Sequence, residues 1–280
     1  MKIQLLSDLH LEAHPLFCPT PASDADVLVL AGDIGSYQSG SSLQDSDFGL
    51  ARFSPRAGWP TPVLFVPGNH EYDNLDFDAA HARLQASCER LGIVWLERQT
   101  AHLSIPHSPT STHRPVRFIG TTLWSDFDAF GIDGHEPHAV AATCKARDKA
   151  FRAANFYLHK TGTTRNSEPF LAPQVRSLSL QCQQWLLEQL AEPFAGPTVV
   201  ITHFAPSLRS ADPRYGTTPG TAGFCNRLDD LFPRVDLWLH GHLHCPSDYL
   251  VGNCRVVANP LGYSRKGEQN HFNPTLCLSV

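Results

Sequence analysis

Short apolar runs bounded by turn residues recur along this 280-residue chain, and each is too short to be a helix. Residues 3–6, 27–31, 63–66, 93–96, 116–120, 199–202, 235–239 and 255–258 read as buried strands, with a closing strand over 275–280. Helical patterns lie between several of them. One runs over 75–91, a second follows the stripe Val140, Cys144, Arg147, Phe151, Ala154 and Leu158, and a third follows Val175, Leu178, Cys182, Trp185, Leu186 and Gln189. Helices alternating with buried strands predict an α/β architecture with helices covering sheets. From residue 235 onward the links are short, which predicts an antiparallel portion beside a mixed sheet. Residues 36–62, 107–115 and 209–223 read as surface loops, and Trp124 as core. Residues 125–173 form a candidate helical insertion within one domain spanning 1–280.

Composition narrows the classes of function. With 42% hydrophobic residues the chain can bury a sizeable core. A net charge of −5 offers no basic footprint, so nucleic acid is not the expected partner. The N-terminal apolar run is too short for a signal peptide, and no stretch reaches the ~20 apolar residues of a membrane span. The expected location is the cytoplasm. The cysteines are scattered without a C-x-x-C pair, which favours reduced thiols over a zinc ribbon or a disulfide framework.

Small polar motifs follow the apolar runs. Asp8-Leu9-His10 follows the first, Gly32-Asp33 the second, and Gly68-Asn69-His70-Glu71 the third. His203 follows the run at 199–202, and Gly241-His242-Leu243-His244 follows the one ending at 239. In α/β sheets ligands bind outside the carboxyl ends of the strands, where rigid tips hold donors in a fixed array. Asp, His and Asn are nitrogen and oxygen ligands suited to Mn, Fe, Zn or Mg. Asp8-x-His10 and His242-x-His244 place paired donors on one side of an extended segment. Asp33, with two oxygens, can bridge two ions. Taken singly, each motif has a plain structural reading: a strand end, a turn, or a hydrogen-bonded core histidine. Their joint occurrence, each after its own strand, argues for a site.

The ordered set Asp8-x-His10, Gly32-Asp33, Gly68-Asn69-His70-Glu71, His203 and Gly241-His242-x-His244 resembles the calcineurin-like metallophosphoesterases from residue 2 to about 263. The resemblance implies a four-layer α/β sandwich of two mixed β-sheets flanked by helices. It also implies two divalent metal ions, Mn²⁺ the leading assignment and Fe, Zn²⁺ or Mg²⁺ compatible. One would be held by Asp8, His10, Asp33 and His244, the other by Asp33, Asn69, His203 and His242. A hydroxide between the metals would attack phosphorus. His70, not a ligand, would stabilise the transition state and protonate the leaving oxygen.

The activity so implied is a phosphomonoesterase or phosphodiesterase acting on a small phosphorylated substrate or a phosphoprotein. A nuclease is the second reading. Such relatives carry a DNA-binding cap after the last histidine motif, where this chain ends shortly after His244. A lipid-linked pyrophosphate hydrolase would call for a basic amphipathic entrance, which the sequence lacks. A metal-free scaffold would have lost ligands, and all seven positions are filled.

Substrate contacts are expected from loops. Arg209 and Arg214 are candidates for a phosphate clamp, with Tyr215 beside them, each weighed against a solvated surface role. Tyr263 reads as packing before pocket lining. His81, His102, His113, His135, His138, His159 and His271 read as surface.

Overall fold

The computed structural model describes residues 1–104, 115–132, 134 and 136–280. Period-two alternation in the apolar runs sends each strand's side chains to two different cores. β1 (Lys2–Leu6), β2 (Val27–Ala31), β3 (Val63–Val66) and β4 (Val94–Trp95) pair in parallel, and β13 (Cys277–Ser279) adds antiparallel beside β1. The second sheet runs β11 (Ser247–Val251), β12 (Cys254–Ala258), β10 (Leu237–His240), β9 (Thr198–Thr202), β6 (Val116–Thr121), β5 (Gln99–Leu103). Its inner four strands are parallel, and its two edges are antiparallel.

One face of each sheet meets the other. Ile3, Leu5, Val29 and Leu64 pack against Phe118, Ile201, Leu239 and Val257. The opposite residues face helices. Leu28, Leu30 and Phe65 pack with Phe77, Leu84 and Cys88 of α1 (Phe77–Leu91), while Ile119, Val200 and Trp238 pack with Leu186 and Leu190 of α3 (Ala172–Ala191). This is an α/β fold of two mixed sheets flanked by helices. α1 starts where the Asp76 carboxylate accepts from Ala79 N, and it stops at Gly92, whose φ of 74° a side chain would resist. α2 (Pro137–Thr161) and a small hairpin of β7 (Thr164–Arg165) with β8 (Glu168–Pro169) occupy the stretch between β6 and α3.

Several expectations need correction. The antiparallel portion of the last third is confined to the β11–β12 pair and to β13 beside β1, while β10 lies parallel to both β9 and β12. Residues 36–62 are not simply a surface loop. They carry two short 3₁₀ turns and bury Phe48, Leu50, Phe53 and Trp59, apolar anchors that outweigh the turn residues between them. β5 and β11 were not legible as strands, because edge strands are half exposed and lack a continuous apolar run. On α2, Val140 and Cys144 are exposed, and packing instead follows Ala139, Ala150, Phe151, Ala154 and Leu158. Trp124 is buried. Residues 107–114 of the expected 107–115 loop lie outside the described residues. All eight cysteines are free thiols. Among the described residues no helix is long and apolar enough to cross a membrane.

Candidate metal centre

Because the inner strands are parallel, their carboxyl ends share one edge, and the turns after them are stitched together. Asp8 N donates to Gly32 O at 2.9 Å, Gly241 N to His203 O at 3.0 Å, and Gly262 N to Asp8 O at 2.9 Å. Two motif glycines permit this approach. A Cβ on Gly32, at φ 85°, would overlap the His203 ring, and one on Gly68 would overlap the Asp33 carboxylate.

Asp8, His10, Asp33 and His244 bring donor atoms within 4.8 Å of one another, and so do Asp33, His203 and His242. Asp33 belongs to both groups. Its Oδ1 accepts from His70 N at 2.8 Å, while Oδ2 lies 3.1 Å from His203 Nε2 and 4.0 Å from His10 Nε2. The paired donors do not come from extended segments, as the spacing had implied. β1 and β10 end before them, and Asp8, His10, Asp33, His242 and His244 all have positive φ, between 45° and 74°. Left-handed kinks turn these side chains inward. Such backbone costs of order 1–3 kcal/mol per residue and persists where surrounding structure holds it, typically at sites.

The donors fit cations. Asp8 Oδ2, Asn69 Oδ1 and His242 Nε2 are buried without a hydrogen-bond partner, and the equally buried Asp33 Oδ2 and His203 Nε2 lie 3.1 Å from each other. Orphans of this kind are costly unless something satisfies them. His10 Nε2 and His244 Nε2 face each other at 3.0 Å. Asn69 lies between Gly68 and His70, whose backbone N–H groups donate to Glu71 and Asp33.

A ring of acceptors holds the imidazoles, and composition had no means of singling them out. Glu12 takes His10 Nδ1 at 2.9 Å, Glu268 takes His244 Nδ1 at 2.7 Å, and Ala31 O takes His203 Nδ1 at 2.8 Å. Each contact leaves Nε2 for a ligand, the usual outer support of a metal-bound histidine. Glu71 accepts from the backbone N–H groups of Asp33, Ile34 and Gly68, tying the turns after β2 and β3 together. Asp73 Oδ2 takes His70 Nδ1 at 2.6 Å and Ser36 Oγ at 3.2 Å. The only sequence signals were spacing: Glu12 two residues after His10, and Asp73 three after His70.

Other expectations shift. Tyr263 stacks on His10 at 4.2 Å between ring centroids and meets His244 edge-on at 5.2 Å, so it lines the centre. His81 is not a surface group; it bonds the Tyr72 hydroxyl and packs edge-on against Trp95. His102, His138, His159 and His271 are exposed, while His113 and His135 lie outside the described residues. Arg209 and Arg214 are engaged by Asp229 at 3.0 Å and Asp212 at 2.7 Å. Tyr215 is 65% exposed.

Electrostatics divide the histidines into pairs. Burial lowers His10 and His242. Burial also opposes charge on His203 and His244, yet Asp33 raises the first to about 9, and Asp8 with Glu268 raises the second to about 9. Asp8 is held at about 2 by His244 against the opposing effect of burial. Without cations, two imidazolium protons thus balance two carboxylates. Cation binding must expel them, so affinity should rise with pH and level off near pH 9. Titration calorimetry in buffers of different ionisation heat should register net proton release at pH 7 and almost none at pH 10. Equal proton counts at both values would contradict this electrostatic picture.

A model of the calcineurin-like phosphoesterases matches residues 1–246. The chain belongs to this family. Membership makes it a metal-dependent phosphoester hydrolase. Among solved structures, this phosphoesterase is similar to a phosphopantetheinyl hydrolase from Mycobacterium tuberculosis, with a TM-score of 0.65, 19% identity, and coverage of 95% of this chain and 90% of that one. That likeness is one of fold. The phosphoesterase is also 24% identical to an uncharacterised protein of Acanthamoeba polyphaga mimivirus, over 99% of this chain and 96% of that one.

Proposed function

We propose that this phosphoesterase hydrolyses phosphomonoesters or phosphodiesters of small molecules or phosphoproteins with two divalent cations, Mn²⁺ first among Mn²⁺, Fe, Zn²⁺ and Mg²⁺. Asp8, His10, Asp33 and His244 hold one, and Asp33, Asn69, His203 and His242 hold the other. The observation that carries this reading is Asp33, one carboxylate common to two buried donor groups, amid polar atoms that lack partners. When bound, the cations supply Lewis acidity that activates a water and offsets charge on the phosphoryl oxygens.

The chain's own groups do the rest. Asp33 Oδ1 anchors the His70 backbone, so the ligand and the acid are set by one side chain. Asp73 occupies His70 Nδ1, which leaves Nε2 to give a proton to the leaving oxygen. His70 is raised well above the ordinary histidine range: burial opposes this, but Asp73 and Asp33 outweigh it. A protonated imidazole is the form an acid needs. Tyr263 covers the outer side of His10 and limits water there.

The test is a panel of phosphomonoesters, phosphodiesters, cyclic nucleotides and a phosphopantetheinyl ester, assayed with each cation after chelation. Hydrolysis should vanish with chelator and return with about two ions per chain. Turnover unaffected by thorough chelation, or full activity at one ion per chain, would defeat the dinuclear reading.

A further inference from the structure

The His242 side of the centre carries an aromatic residue that packing alone does not account for. Phe204, 4% exposed, already covers the His242 ring at 3.9 Å between centroids. Phe224 lies against the same ring at 5.1 Å, yet 39% of it remains exposed. An aromatic at a polar rim, partly in water, gains from an apolar group laid against it.

The segment behind Phe224 is built to present it. Residues Pro219–Gly223 form a 3₁₀ turn closed by Phe224 N donating to Thr221 O at 3.0 Å. Gly220 and Gly223 lie against Ala153 and Ala154 of α2, with room for no more than a Cβ between them, so the turn is seated directly on that helix. α2 buries only Ala139 and Ala150 fully along 25 residues, which is little for a helix whose purpose is the core. Its seat under residues 219–223 gives the stretch between β6 and α3 a role that the expected insertion lacked.

We propose that α2 and the Pro219–Phe224 segment form the specificity element of the site, with Phe224 receiving an apolar or aromatic ester group beside His242. This rests on the phosphoesterase reading above. The favoured substrate is thus a phosphate ester whose organic group presents a flat or apolar portion next to the phosphorus, in preference to a compact polar alcohol.

Phenylphosphonate and methylphosphonate share a head group and differ only in the part Phe224 would meet. Binding of each to the cation-loaded protein is measured by calorimetry for the parent, Phe224→Ala and Phe224→Leu, with metal content determined alongside. The parent should prefer phenylphosphonate by about 5- to 10-fold, the worth of one aromatic contact. Phe224→Ala should abolish most of that preference, and Phe224→Leu should keep part of it. A parent that binds both phosphonates without preference, or a preference unchanged in Phe224→Ala, overturns the proposal and leaves the phosphoesterase reading standing. A cation-loaded parent that binds neither phosphonate also overturns the proposal, while the phosphoesterase reading is decided separately by hydrolysis of the ester panel.

Discussion

Asp33→Asn should reduce bound cations from about two per chain to fewer than one and lower phosphoester hydrolysis by about 10³-fold or more. The substitution keeps size and one carbonyl oxygen, so the acceptor for His70 N survives and the fold should stand. What it removes is charge. Asp33 Oδ2 sits beside His203 Nε2 and near His10 Nε2, one nitrogen from each donor group, so a neutral amide there weakens both sites together. Losing a cation's Lewis acidity forfeits several kcal/mol of transition-state stabilisation, which sets the expected loss. Elemental analysis beside circular dichroism separates metal loss from unfolding. A folded variant with full metal content and parental activity would remove Asp33 from the bridging position.

The second large effect is expected at His70. His70→Ala should retain its cations and lose about 10²–10⁴-fold in turnover of alkyl esters. Metal retention follows from geometry. The link between His70 and Asp33 runs through the backbone N–H, which alanine keeps. In the proposed role the side chain would contribute instead the proton that Asp73 helps hold on the ring. An ester with a good leaving group, such as p-nitrophenol, needs no such proton, so its loss should be much smaller. If the alkyl and p-nitrophenyl esters fell equally, His70 would be acting on the phosphoryl group or the cations, and its role as acid would be refuted.

Asp33 and His70 sit in different motifs, and Gly68-Asn69-His70-Glu71 packs several further roles into consecutive residues. Gly68 must lack a side chain so that Asp33 can approach. Asn69 offers a buried oxygen without a partner. Glu71 gathers three backbone donors, and burial together with the nearby Asp33 charge pushes its carboxyl up to about 8. Its three hydrogen bonds join the turn after β2, which carries Asp33, to the turn after β3, which carries His70.

The strands at 27–31 and 63–66 were legible because both faces of an inner parallel strand are buried, and its run is apolar throughout. The donor motifs were legible because rare residue types recur after such runs. β5 and β11 were hidden because these edge strands have no fully buried position and so carry no continuous apolar run. The mistaken face on the first half of α2 has a related cause. Over that half the helix buries only alanine, at Ala139 and again at Ala150, and so offers none of the large apolar residues that periodicity detects.

The amino-acid order alone determined the layered α/β plan, the strands that end at the centre, and the donor residue types offered there. All of these are local properties of pattern and residue chemistry. Tertiary structure decided the rest: the left-handed turns that aim five donors inward, the carboxylates of Glu12, Asp73 and Glu268 behind the histidines, and the aromatic rings of Tyr263 and Phe224 at the rim. Glu268 and His10 meet the same centre from opposite ends of the chain. Which distant groups become neighbours depends on how two sheets pack face to face, and no stretch of sequence encodes that by itself.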